Sequence, residues 1–373
     1  MIDGSGEESA KIPCCVMAVH PRREYAKNLR LSEVGIEIID QPEDYATYIE
    51  GVLRYVRMIE EPSFLRTELD VAEVAPMGDY IRGFFGGEKR KYAGLIIEDF
   101  RYDGITRNYH IRLANLSSKV SIPAHFIEDY WKKFIYRPAI LPFYFRGPFD
   151  ILLSDKGEND LRKFLDRFVL NNPSLSPSER DKVRELIKEL KQPTMLRLLD
   201  QAYYYVIYRC QRAFAAVVIT PDDIRCISEH DKYGIVVSNT CAYIVTNEAV
   251  KAYYYSGVLN FLLYKMHEYG MSVARDQYAR PLAVIVSVGL QWRGEAWQVE
   301  VAELSERIHG RAPDYYKELL ASGKEQVRLY LRKLYKASEE FRKLVELLDE
   351  YVEEERLKDA LALVSGWLLK GSL

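Results

Sequence analysis

The sequence predicts a mixed α+β fold: mixed β-sheet domains, a helical insertion and a long C-terminal heptad helix. Three observations predict it. Short apolar or alternating runs, bounded by Gly, Pro and Asp-Gly, fill residues 64–156 and return after residue 213. Helical spacing of apolar residues dominates the stretch between them, residues 157–212. From Val327 onward, apolar positions alternate four and three residues apart over about four heptads. The expected divisions are an N-terminal strand and helix region (1–63), a β-rich domain (64–156), a helical segment (157–212), an α+β domain (213–298) and a helical region (299–373).

Taken in order, residues 1–11 are acidic and polar, the opposite of a signal peptide, and read as a tail. Residues 12–19 and 36–39 are short apolar runs and read as strands. A helix is predicted over 42–60. Pro42 suits a first turn, and Tyr45, Tyr48, Ile49, Val52, Val56 and Ile59 fall on one face. Residues 92–97 form an apolar strand, Asp103-Gly104 is a turn signal, and residues 109–113 alternate as a half-buried strand does. Pro123, Pro138, Pro142 and Pro148 punctuate the aromatic segment that follows.

Residues 161–170 read as a helix ended by Asn171-Asn172-Pro173-Ser174. Ser176-Pro177-Ser178-Glu179 starts the next one: Ser176 accepts from the Glu179 amide, Pro177 takes the first helical position, and the Glu179 side chain reaches back. Pro193 breaks it, and a helix is expected to resume over 195–212. Strands are expected at 213–220, 233–237 and 242–245, then a helix at 248–269 capped by Gly270. Residues 281–288 are a helix or a buried strand, and 299–309 a helix. Val327, Leu331, Leu334, Ser338, Phe341, Val345, Leu348 and Val352 make the heptad stripe of one long helix. Its partner helix lies in the same chain or in a second copy, so a homodimer through residues 323–356 is left open.

Composition narrows the function classes. The chain has 373 residues, is 48% hydrophobic and 29% charged, and carries a net charge of −3, so a nucleic-acid role must rest on local basic patches. Five cysteines without a CxxC read as reduced thiols in a cytoplasmic protein, and no metal or cofactor site is expected. No apolar run is long enough to span a membrane. The 28 tyrosines and dense charge suggest a thermophilic source.

Catalytic motifs are incomplete. Neither GxxxxGK[ST] nor GxGxxG after a strand occurs, and no GxSxG elbow is present. A metal-dependent nuclease needs clustered acids and a lysine that steadies water. The nearest approaches are Asp150, Asp155 and Lys156, and Asp222-Asp223, and neither has acid-x-lysine spacing. The six histidines are scattered and read as satisfied structural residues.

One region stands apart. Arg275, Gln277, Tyr278, Arg280 and Arg293 lie close together after Lys265, and a second basic and aromatic stretch holds Arg137 and Arg146. Arginine and glutamine match base edges bidentately, and aromatic rings stack. The stretch Val236-Val237-Ser238-Asn239-Thr240-Cys241-Ala242-Tyr243-Ile244-Val245 precedes a helix carrying Leu259-Asn260 and then the loop Arg275 to Arg280. This resembles the C-terminal target-recognition region of adenine-specific DNA methyltransferases, especially archaeal ones, and of related restriction–modification enzymes. The segment from Pro138 to Pro142 with Arg146-Gly147 is loosely similar to an upstream part of such modules.

The resemblance implies a recognition module for double-stranded DNA. Lys265, Arg275, Arg280 and Arg293 would grip phosphates or guanine. Asn239, Asn260 and Gln277 would read or position bases, and Tyr243 and Tyr278 would pack on sugar or base. All of it requires the positive side chains between residues 265 and 293 to share one open surface. The family's Asn/Asp-Pro-Pro-aromatic motif is absent, Asn172-Pro173-Ser174 being the nearest string, and so is its glycine-rich cofactor turn. A methyltransferase or nuclease catalytic subunit is therefore the expected partner. The alternatives are a divergent metal-dependent nuclease and an assembly protein that pairs through its C-terminal helix.

Overall fold

The computed structural model describes residues 94–365 apart from 191–195, 197, 211–212, 231, 239, 273–280 and 324–325. The strands expected at 12–19 and 36–39 and the helix expected at 42–60 lie outside the described residues.

The fold is mixed α+β, as expected. Strands β1 (Ile96–Asp103), β2 (Asn108–Leu113), β3 (Val120–Pro123), β4 (Trp131–Ile135), β7 (Phe149–Leu152) and β10 (Gly234–Val237) build a six-stranded sheet in the order β10-β4-β7-β1-β2-β3. Its pairs are antiparallel except β10 with β4. The Asp103-Gly104 turn closes the first hairpin: the Asp103 carboxylate accepts from the Ile105 amide and the Thr106 hydroxyl. Helix α1 (Ala124–Ile127) is one turn. Strands β5 (Ile140–Leu141) and β6 (Tyr144–Phe145) form a hairpin. A second, three-stranded antiparallel sheet has the order β11-β8-β9, from β8 (Tyr204–Arg209), β9 (Ala216–Ile219) and β11 (Cys241–Thr246).

Helices α2 (Glu158–Phe164) and α3 (Pro177–Glu189) form the insertion. The capping box at Ser176 and Glu179 is present, and Glu179 does more than the motif demands. Its carboxylate also takes the backbone amides of Ser117 and Ser118, at 2.8 and 2.9 Å, and so ties the insertion to the loop before β3. These hydrogen bonds to the ionised form, led by that from Ser176, hold its pKa far below the usual carboxylate range.

The insertion is not helical to residue 212. Residues 204–209 are the central strand of the second sheet, paired on both sides with β11 and β9. The run Tyr204-Tyr205-Val206-Ile207-Tyr208-Arg209 is β-branched and aromatic, and that preference prevails over the helical spacing read from the sequence.

Helix α4 (Pro221–Ile227) precedes β10. Helix α5 (Ala249–Glu268) is the centre of the molecule: apolar all round, it packs against the second sheet on one side and the C-terminal helices on the other. Gly257 lets those helices approach closely, because a Cβ there would meet Val301, Leu344 and Ser305 at 3.2–3.3 Å. Residues 281–288 resolve as helix α6 (Pro281–Ser287), and α7 (Ala296–Ala321) extends well past the expected 299–309.

The single heptad helix is a correction. The chain forms α8 (Val327–Ala337), α9 (Glu339–Tyr351) and α10 (Glu354–Ser365). Ser338 caps α9 by accepting from the Phe341 amide, and Arg342 donates to the Tyr335 and Lys336 carbonyls at the end of α8. All eight heptad residues are buried, and α8 and α9 pack on α5 and α7 of the same chain. Among the described residues of 323–356, the heptad positions are covered by helices of the same chain. None of the described helices is long and apolar enough to cross a membrane.

Candidate nucleic-acid interface

Parallel pairing of β4 and β10 brings their C-terminal ends together. Val237 lies opposite Ile135, and the Ser238 amide donates to the Ile135 carbonyl at 2.8 Å. The chain then leaves each strand in a loop. After β4 it enters a 3-10 turn at Arg137–Ala139, with Pro138 in its first positions. After β10 it passes through Ser238 and Thr240, whose hydroxyls lie 3.1 Å apart, while the Thr240 amide donates to Ser238 Oγ.

The two loops touch: the Arg137 amide donates to Thr240 Oγ1 at 3.4 Å. A third segment joins them, because the Arg146 amide donates to the Ala139 carbonyl at 2.9 Å. The β5–β6 hairpin that carries Arg146 is held from inside by buried Arg209, whose Nε–H donates to the Ile140 carbonyl. Arg137 is half-buried and Arg146 exposed, and neither forms an ion pair with a carboxylate among the described residues. The thiol of Cys241, next in the chain, is pushed up to about 12 by burial, against the Thr240 hydrogen bond and the fields of Arg209 and Arg137. It is an inert, protonated thiol rather than a nucleophile.

The structure therefore brings the segment of Arg137 and Arg146 against Ser238 and Thr240, Arg137 and Thr240 being 103 residues apart in sequence. Asn239 itself lies outside the described residues, as do Arg275, Gln277, Tyr278 and Arg280. Gly270, at φ +73°, and the Met271 amide bonded to the Met266 carbonyl close α5, and Pro281 opens α6. Tyr243 is half-buried on β11, edge-on to Tyr205 with ring centres 5.5 Å apart.

Two expected contact residues are placed elsewhere. Asn260 is fully buried: its Nδ2 donates to the Ala216 and Ser256 carbonyls, and its Oδ1 accepts from the Ala216 amide. The side-chain amide behaves as one more strand against β9 and cannot reach a base. Lys265 is buried too, bonded to Glu268 at 2.8 Å and Asp349 at 3.0 Å. Burial alone would lower its pKa, and the two carboxylates overrule that and raise it. Its charge serves the packing of α5 on α9.

Arg293 is exposed, with its amide donating to Gln298 Oε1 at 2.7 Å. Its neighbour Trp292 lies against Tyr254, which sits roughly 16 Å from Lys265 by helix rise along α5. The expectation of one positive surface from residue 265 to 293 is not met by the two members described.

The carboxylates considered for a nuclease are dispersed. Asp150 accepts from the Trp131 indole and pairs with Lys133, and Asp155 pairs with Lys132. Asp222 pairs with Arg225, and Asp223 completes the capping box of α4. Among the described residues no three His, Cys, Asp or Glu side chains converge on a point where a metal ion could sit.

Comparison with known proteins adds little. No protein-family model matches the chain, and no curated protein matches it. One solved structure to which it is similar is that of the Type IIL restriction-modification enzyme MmeI in complex with DNA. The identity is 14% and the TM-score 0.36, over 65% of this chain and 31% of that one. At that score neither fold nor site transfers, and the chain spans under a third of that protein's length.

Proposed function

We propose that the protein binds double-stranded DNA and acts as a target-recognition-like component of a restriction–modification or related defence system, beside a separate methyltransferase or nuclease subunit. One observation carries the reading. Arg137, Arg146 and the Ser238–Thr240 loop, all in segments that resemble DNA-facing parts of such modules, are bonded to one another at a single sheet end. Their cations have no carboxylate partner among the described residues, so they remain able to meet phosphate oxygens. Arg275, Gln277, Tyr278, Arg280 and Arg293 remain part of the proposed surface. Asn260 and Lys265 support it from within.

A salt titration of duplex binding tests this. Each phosphate contact contributes about −0.9 to the slope of log affinity against log salt for B-DNA. The R137A/R146A variant is expected to bind more weakly, with a slope shallower by about 2. Absence of wild-type binding to duplex DNA at low salt would refute the reading.

A further inference from the structure

A cavity of about 350 Å³ opens between the C-terminal turns of α5 and helix α8, lined by Tyr264, His267, Arg328, Arg332, Tyr335 and Lys336 among others. Arg328, Arg332 and Lys336 stand at i, i+4 and i+8, so they form one row about 12 Å long on α8. None is ion-paired with a carboxylate among the described residues. The one acid in the lining, Glu268, is engaged by Lys265 at 2.8 Å.

Several exposed helix faces pair opposite charges at i, i+4: Glu158 with Arg162, Glu303 with Arg307, Glu339 with Lys343 and Glu354 with Lys358. Such pairs stabilise a helix by about 0.2–0.5 kcal/mol each, and like charges at that spacing cost as much. Helix α8 carries the unfavourable version on the face that borders the cavity. His267 adds a second sign of an unmet polar demand: its buried Nε2 has no hydrogen-bond partner among the described residues. Burial, reinforced by the neighbouring Arg328 and Arg332, pushes its pKa down to about 4.

We infer that the α5–α8 groove is a backbone clamp in which Arg328, Arg332 and Lys336 hold consecutive phosphates of one strand of a nucleic-acid duplex. The inference rests on the DNA-binding reading and supplies it with contacts that no sequence motif marked. Three positive charges spread over about 12 Å exceed the charge of one small dianion such as sulfate. A polyanion matches them. Behind the groove wall, Tyr264 lies edge-on to buried Phe341, with ring centres 5.7 Å apart.

The test uses the full chain and a labelled duplex of mixed sequence over a salt series. For R328Q/R332Q/K336Q the expected result is a slope shallower by up to about 2.7, with the far-ultraviolet dichroism unchanged. The charge-keeping R328K/R332K/K336R is expected to retain the wild-type slope. A neutralised variant with the wild-type slope overturns the clamp while leaving the DNA-binding reading in place. A wild-type chain that does not bind duplex at all overturns both. Loss of slope in the charge-keeping variant as well would show that the fold, not the charge, was disturbed, and would also overturn the clamp.

Discussion

His309 shows how much a single side chain decides here. Its Nδ1–H donates to the Ser305 carbonyl at 2.8 Å, and Nε2 accepts from the Val218 amide at 3.1 Å. Both nitrogens are used only in the neutral ring. Burial pushes its pKa down to about 4, from an ordinary 6.5, and His267 is likewise held near 4. With folded values below the unfolded ones, the unfolded chain binds more protons between those limits. The stabilising contribution is therefore complete above about pH 6.5 and is lost as pH falls toward 4, at on the order of 3 kcal/mol for a fully buried ring. Urea unfolding at pH 7 and pH 5 is expected to show a clear drop, and the drop is expected to shrink in H309Q, whose amide cannot titrate. An equal drop in both proteins would remove this assignment. Sequence spacing marked His309 as a satisfied structural residue and could not show what satisfied it.

Whole elements depend on how their ends are bonded. The heptad spacing from Val327 to Val352 was legible, and every one of its positions is buried. The break was not legible, because a serine at a heptad core position is compatible with one continuous helix. What makes it a boundary is Ser338 accepting from Phe341 and Arg342 covering the carbonyls of α8. Replacing Ser338 by Ala removes the cap and is expected to cost about 1 kcal/mol in chemical unfolding. A gain in stability would mean that a continuous helix is the better state. The strand at Tyr204–Arg209 is the opposite case, where local spacing was misleading and two flanking strands decided the outcome.

At the scale of the whole molecule, α5 joins the second sheet to the C-terminal helices, and Asn260 is the polar pin of that joint. Truncation to Ala leaves the Ala216 amide without its partner in a fully buried place and strips the Ala216 carbonyl of one of its two donors. N260A is expected to destabilise the protein by about 2–4 kcal/mol while leaving the salt dependence of duplex binding unchanged. A variant of wild-type stability with altered binding would return Asn260 to the interface. The sheet end that carries Arg137 and Arg146 depends on the same framework, because the hairpin is anchored to β9 through the Phe143 amide and the Ala216 carbonyl.

By itself the sequence determined what is local: the capping box at Ser176, the Asp103-Gly104 turn, the strand-to-helix passage into α5 and the glycine that ends it. Each follows from short-range hydrogen bonds and backbone preferences written in a few adjacent residues. Only tertiary structure decided which charges face outward. Lys265 and Arg332 read alike as basic residues of helices, yet one is bonded to Asp349 across a helix interface and the other lines an open groove. Ion pairing across elements depends on which distant carboxylate the packing delivers, and no spacing along the chain encodes that.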